Sequence, residues 1–216
     1  MSIFLNIKTQ LANQKVTLVA VSKTRPNEAI LEKYEQEQRI FGENRVQELV
    51  QKYETLPKDI EWHLIGHLQK NKVKFIAPFV KMIHSVESTK LLTEINKQAK
   101  KHNRVIDCLL QIKIAQEDSK FGMDEAAVLE LLNSEQLSGY QNVRIVGVMG
   151  MATFTVDKNQ VRTEFKRLKT VFDRLKSTFF VEKTYFKEIS MGMSGDYSIA
   201  IEEGSTMVRI GSLIFN

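Results

Sequence analysis

A chain of 216 residues, 43% hydrophobic and 26% charged, has a globular protein's composition and enough length to bury a large core without staples. Its one cysteine, Cys108, excludes an intrachain disulfide, and its net charge of +5 comes from 31 basic residues dispersed among 26 acidic ones, which argues against a nucleic-acid partner. No stretch approaches the roughly 18 apolar residues of a membrane span, and the first residues show no basic-then-apolar leader, so a cytoplasmic protein without membrane contact is expected.

The first pattern is amphipathic: Ile3, Phe4, Ile7 and Leu11 share one face. A helix there could plug one end of a barrel or pack on its side. The apolar run VTLVAVS (16–22) follows and reads as a buried strand. A helical pattern runs from Asn27 to about Gln38, then RIFG (39–42) reads as the second strand. The next helix starts near Arg45, with Val46, Leu49, Val50 and Tyr53 on one face. EWHLIG (61–66) and MIHSV (82–86) are the third and fourth strands. Residues 88–102 place Leu91, Leu92, Ile95 and Ala99 at helical spacing. DCLLQIKI (107–114) precedes a helix over 124–133, and RIVGVMG (144–150) precedes one over 157–177; Asp124 and Asp157 stand where N-caps are expected. FKEISMG (186–192), a short helix and MVRIGS (207–212) complete the series.

The chain has three prolines, at 26, 57 and 78, each near an expected element boundary, and no Pro/Gly/Ser linker, so residues 1–216 read as a single domain. Eight apolar runs alternating with helices imply an α/β fold with parallel pairing and right-handed crossovers. A closed (β/α)₈ barrel and a doubly wound open sheet both satisfy that order; eight unbroken units favour the barrel.

In such a barrel the chemistry sits at the carboxyl ends of the strands. Lys23 follows VAVS directly. Near a buried face its pKa would fall, leaving the neutral amine that attacks an aldehyde; the plainer reading is a stem packed on the rim with its head in water. SMGMSGD (190–196) joins the seventh strand to a short helix. Gly192 and Gly195 let the backbone approach a ligand, Ser194 offers a hydroxyl, and the helix start offers N–H groups to an anion; alternatively this is a Gly-rich turn with an N-cap. Gly211 and Ser212 follow the eighth strand, and phosphate sites in these barrels are often built after strands seven and eight. Arg209, two residues before Gly211, shares its face. His63 and His67 are four apart, but on a strand running into a turn, so they do not read as a metal pair.

This combination resembles the fold-type III pyridoxal phosphate proteins, which include alanine racemase. Within them the chain is similar to the pyridoxal phosphate homeostasis family (the YggS/PROSC family). The matching segments are VAVSKT (19–24), FGENRVQE (41–48), EWHLIGHLQKNK (61–72), HSVES (84–88), SKFG (119–122), GVMGMATF (147–154), SMGMSGDY (190–197) and VRIGSLIF (208–215). The resemblance implies pyridoxal 5′-phosphate held as a Schiff base on Lys23, its phosphate on Ser194, Gly211 and Ser212, and its pyridine nitrogen facing Arg209. It also places Asn44 and His84 along the ring site and Met191 and Met193 near it. Lys120 stands where the racemases carry an arginine, and Arg45 replaces the family's commoner tyrosine.

An arginine at the ring nitrogen discourages its protonation and weakens the ring as an electron sink. A racemase also needs a second acid–base residue, which in the racemases comes from a second, C-terminal domain not seen in these residues. The expectation is therefore a non-catalytic, monomeric carrier of pyridoxal phosphate, with apo-enzymes as recipients. A small amino-acid racemase is the alternative, and a Schiff-base aldolase using Lys23 is the more remote one.

Overall fold

Ser2 opens the first helix: its Oγ accepts the Leu5 N–H at 3.3 Å. In the computed structural model, which describes residues 2–116 and 121–215 (Glu135 and Gln136 by backbone alone), helix α1 (Ile3–Asn13) buries Phe4, Ile7 and Leu11. Ile3, expected on the same face, is 61% exposed. The helix lies on the barrel's side. Its apolar face joins the layer between strands and helices, and Lys8 Nζ donates to Gln36 O, just past helix α2 (Asn27–Glu35), at 2.6 Å.

Among the described residues, eight strands close into a parallel barrel in sequence order. They are β1 (Thr17–Val21), β2 (Ile40–Glu43), β3 (Glu61–Leu64), β4 (Met82–Val86), β5 (Ile106–Gln111), β6 (Val143–Met149), β7 (Glu188–Met193) and β8 (Met207–Ile210). β1 closes the ring: Val21 pairs with Gly42 on one side and Val19 with Arg209 on the other. Side chains alternate between two cores. Val19, Met82, Leu109, Val146, Met149 and Met207 fill the barrel. Ala20, Phe41, Leu64, Ile83, Val208 and Ile210 face the helices.

The longer helices follow the apolar stripes that predicted them. In α5 (Thr89–Lys101), Leu92 and Ile95 are fully buried, each worth about 2 kcal/mol of transfer from water. Asp124 caps α6 (Glu125–Asn133) through Ala127 N–H at 2.8 Å, and Asp157 caps α8 (Lys158–Phe179) through Asn159 N–H at 2.9 Å. α3 (Val46–Thr55) and α9 (Tyr197–Glu202) follow β2 and β7, and α7 (Glu135–Ser138) follows α6.

Most strands and helices begin or end a residue or two from the sequence reading, and some differences have a clear cause. α2 stops at Glu35 because Glu37 takes a positive φ of 64° and Gln38 turns into the strand layer, where its Nε2 donates to Leu18 O at 3.0 Å and Ile40 O at 2.7 Å. β5 ends at Gln111; Ile112 N–H still donates to Met149 O at 2.8 Å, and beyond it the pairing passes to an isolated bridge between Ile112 and Met123. After β3, a 3₁₀ turn (Lys70–Lys72) runs into α4 (Val73–Ile76), too short to carry a helical stripe.

Candidate functional site

At the carboxyl ends of the strands the barrel opens into a cavity of about 640 Å³. Lys23, Asn44, Met193, Ser194, Arg209, Gly211 and Ser212 all line it. Val21, Ile65, Met151, Phe121 and Phe154 supply its apolar wall.

Strand alternation delivers Lys23: Val19 points into the barrel, and Val21 and Lys23 line the cavity above it. Lys23 is exposed in the mouth, so the burial expected to disfavour its ammonium is not built into the strand end. Asn44 is held by a close approach of two strand ends. A Cβ on Gly66 would sit 2.4 Å from Asn44 O, so only glycine lets β3 pass there.

Gly192 turns β7 over the mouth with φ +94°, and a Cβ on it would lie 2.6 Å from the Ala200 Cβ. The turn is fixed by the Met193 N–H donating to Asp196 Oδ1 at 2.6 Å. Gly211 N–H donates to Ser194 Oγ at 3.3 Å, joining the ends of β7 and β8. The serine oxygen thus stands where an anion's oxygen would accept that N–H, beside the exposed Ser212.

Arg209 forms the floor, with 4% of its surface exposed. Its Nη1 donates to Ser190 Oγ at 2.6 Å and its Nη2 to Gly150 O at 3.1 Å. Burial lowers its pKa to about 10, which leaves it a cation at neutral pH. Beneath it the chain continues: Ser190 Oγ lies 3.0 Å from His84 Nδ1, and His84 Nε2 lies 3.0 Å from His63 Nδ1. Burial drives the His63 pKa to about 3, with the Lys81 charge adding. Burial, then His63 and Arg209, depress His84 as well. Both rings are therefore neutral, and each contact holds one hydrogen. Ser190 Oγ accepts from Arg209 and keeps one hydrogen and one lone pair for His84 Nδ1, and the His84–His63 bond runs in the same direction as the Ser190–His84 bond.

His84 is thus fully buried under Arg209 and does not line the cavity, unlike its expected place along the ring. Met191 packs in the layer between strands and helices, while Met193 lines the cavity. Lys120 lies outside the described residues. Arg45, exposed at the start of α3, lines a separate cleft outside the barrel. His67 is an addition to the expected set. It lines the cavity, its Nδ1 lies 3.0 Å from Glu87 Oε1, and its ring stacks on Phe121 at 4.4 Å. The two histidines weighed as a metal pair thus turn to different partners, His63 to His84 and His67 to Glu87.

Among the described residues no helix is long and apolar enough to cross a membrane. Residues 4–216 match the family model described as alanine racemase, N-terminal domain. A pyridoxal phosphate homeostasis protein of Aquifex aeolicus is 41% identical over 199 residues, covering 92% of this chain and 85% of its own. The one from Homo sapiens is 38% identical over 211 residues, covering 92% and 75%. Among solved structures, PipY of Synechococcus elongatus PCC7942 with pyridoxal phosphate bound superposes with a TM-score of 0.86 at 33% identity over 100% of both chains. Its form without the cofactor gives 0.91 at 35% identity, over 99% and 98%. Alanine racemase of Clostridium difficile shares the fold alone, with a TM-score of 0.72 at 14% identity over 99% of this chain and 56% of that one. The chain belongs to the pyridoxal phosphate homeostasis family.

Proposed function

We propose that this member of the pyridoxal phosphate homeostasis family binds pyridoxal 5′-phosphate in the barrel mouth and carries it within the cell without catalytic turnover. The observation behind the reading is the convergence of Lys23, the Ser194–Gly211 pair and Arg209 on one cavity of about 640 Å³. The residues fit the cofactor: an amine for its aldehyde, a hydroxyl and a backbone N–H for its phosphate, and a fixed cation for its ring nitrogen. The PipY structure with pyridoxal phosphate bound supports the assignment.

When bound, pyridoxal phosphate supplies an aldehyde carbon that a lysine amine captures with loss of water. Lys23 presents that amine from the end of β1. Ser194, Gly211 and Ser212 would hold the phosphate, and Asn44 and Met193 would flank the ring. Arg209, fixed by Ser190 Oγ and Gly150 O, would hold its charge toward the ring nitrogen. A proton placed on that nitrogen would adjoin the guanidinium, so the ring stays a weak electron sink. His84 and His63 act one step further away, by orienting Ser190.

One observation favours an enzyme as the second reading. A racemase needs an acid–base group besides Lys23, and His67, held by Glu87, lines the same cavity. The carrier reading takes the barrel as one domain, monomeric and cytoplasmic, with apo-enzymes as recipients and neither nucleic acid nor membrane as a partner. Cofactor capture, common to both readings, is tested by an absorbance spectrum of the protein loaded with pyridoxal phosphate. A band near the visible edge that borohydride removes places the cofactor on a lysine; its absence sinks the reading.

A further inference from the structure

Behind Lys23, on the helix side of the barrel wall, lies a polar cluster that no step above uses. Lys52 of α3 is its centre, with a side chain only 7% exposed. Its ammonium has three donors and three acceptors: Ser22 O at 2.7 Å, Glu43 Oε1 at 2.8 Å and Glu48 Oε1 at 2.7 Å. Ser22 Oγ also donates to Glu43 Oε1, at 2.6 Å. Thr24 N–H donates to Glu48 Oε1, again at 2.6 Å. The residues on both sides of Lys23 are thereby tied to one ammonium.

Thr24 needs that tie. Its φ is 63°, a left-handed conformation that a β-branched residue adopts only under constraint. The turn closes with Arg25 N–H donating to Ser22 O at 3.0 Å. Burial raises the Glu43 pKa despite its bonds to Lys52 and Ser22, so the cluster carries a desolvation cost. A buried ion pair is weak support for stability, since apolar side chains of similar volume often serve as well. Its use here is geometric: it holds the strained turn from which Lys23 enters the cavity.

We propose that Lys52, with Glu43 and Glu48, is the positioning device for Lys23: it clamps Ser22 and Thr24 so that the amine meets the aldehyde carbon of a bound pyridoxal phosphate. This rests on the reading of Lys23 as the capturing residue. Phosphate binding is assigned to the ends of β7 and β8, on the opposite flank of β1 from β2 and α3, so the clamp acts on covalent capture rather than on the anion.

The test uses the full chain with pyridoxal 5′-phosphate and with its 4′-deoxy analogue, which lacks the aldehyde. In Lys52→Met, the rate at which borohydride traps the cofactor on Lys23 should fall about 10-fold or more, the scale of one lost charge-assisted hydrogen bond. Affinity for the deoxy analogue should be unchanged. In the ligand-free protein the Thr24 amide should exchange faster by a similar factor. Glu48→Gln, which keeps an acceptor for Thr24 but drops the charge, should fall between; it decides by the same criteria if Lys52→Met does not fold. Asp107→Asn, which breaks the Asp107–Arg144 pair at the amino end of the barrel, controls for lost stability. The inference is overturned if the variants trap as fast as wild type, if their loss matches that of the control at equal melting temperature, or if the deoxy analogue is lost in proportion. Wild-type protein that places no pyridoxyl group on Lys23 overturns the reading beneath it instead.

Discussion

Arg209 Nη1 donates to Ser190 Oγ at 2.6 Å, and this bond fixes more than the guanidinium. The same serine oxygen lies 3.0 Å from His84 Nδ1, so it links the arginine to the buried histidine pair. The arginine under the mouth is thus locked by groups that do not line the cavity. Removing the serine oxygen leaves a buried cation short of one acceptor. Ser190→Ala is expected to cost about 1.5–3 kcal/mol of folding stability, read by urea unfolding; an unchanged midpoint and slope would show that the bond carries nothing.

The histidine pair also predicts an acid sensitivity. His63 has its pKa lowered from an ordinary 6.5 to about 3, and His84 is lowered too. Below 6.5 the unfolded chain binds protons at these residues that the folded protein refuses, so stability falls as pH falls. Between pH 6.5 and 5 the loss from His63 should be about 1.6 kcal/mol, and His84 adds to it in the same direction. Unfolding free energies measured across that range test it; stability that is flat or rises on acidification contradicts two neutral buried rings.

Lys23 is expected to be the sole site of covalent capture. Borohydride reduction and peptide mapping should place the pyridoxyl group on the peptide containing Val21, Ser22 and Lys23. Lys23→Ala should lose the visible-edge band yet keep measurable affinity, because the Ser194–Gly211 corner remains. A label found mainly on Lys113 or Lys120 would refute the assignment.

What could be read from the sequence divides along physical lines. Lys23, Arg209 and Gly211 were legible because period-two alternation at a strand end needs no partner to be known. Met193 and Ser190 both face inward although three residues apart, because the β7–β8 register shifts between them; strict alternation has no signal for that. His84, which the resemblance puts along the ring, is fully buried below the rim, because likeness of sequence carries no measure of depth in the barrel. Lys52 was invisible. On a helix with glutamates nearby it looks like a solvated lysine, and only closure of β1 against β2 brings Ser22 and Glu43 to it.

The phosphate corner is tested by side-chain deletion. Ser194→Ala removes the oxygen that sits on the Gly211 N–H and should weaken pyridoxal phosphate retention by about 1–3 kcal/mol. Ser212 is exposed, so Ser212→Ala should cost less. Pyridoxal without its phosphate should bind much more weakly. Equal binding of the two in equilibrium dialysis would mean that the anion corner lies elsewhere.

Catalysis is the last question, and two features of the cavity pull on it. Arg209, a fixed cation, leaves the ring a weak sink for carbanion character. His67, held by Glu87, is a potential second acid–base group, and such help is typically worth ~10²–10⁴-fold. That help acts only on a proton already loosened by the ring, so the Arg209 effect comes first and turnover should be negligible. Exchange of an amino acid for Lys23 at the aldehyde carbon needs neither group and should proceed. The loaded protein is incubated with L-amino acids in heavy water. Spectra follow the exchange, and chiral analysis with deuterium uptake at Cα follows proton transfer. Exchange with negligible uptake, unaltered in His67→Ala, fits a carrier. Turnover of one amino acid at about 1–10³ per second, abolished in His67→Ala, would replace the carrier with a racemase whose second base is His67.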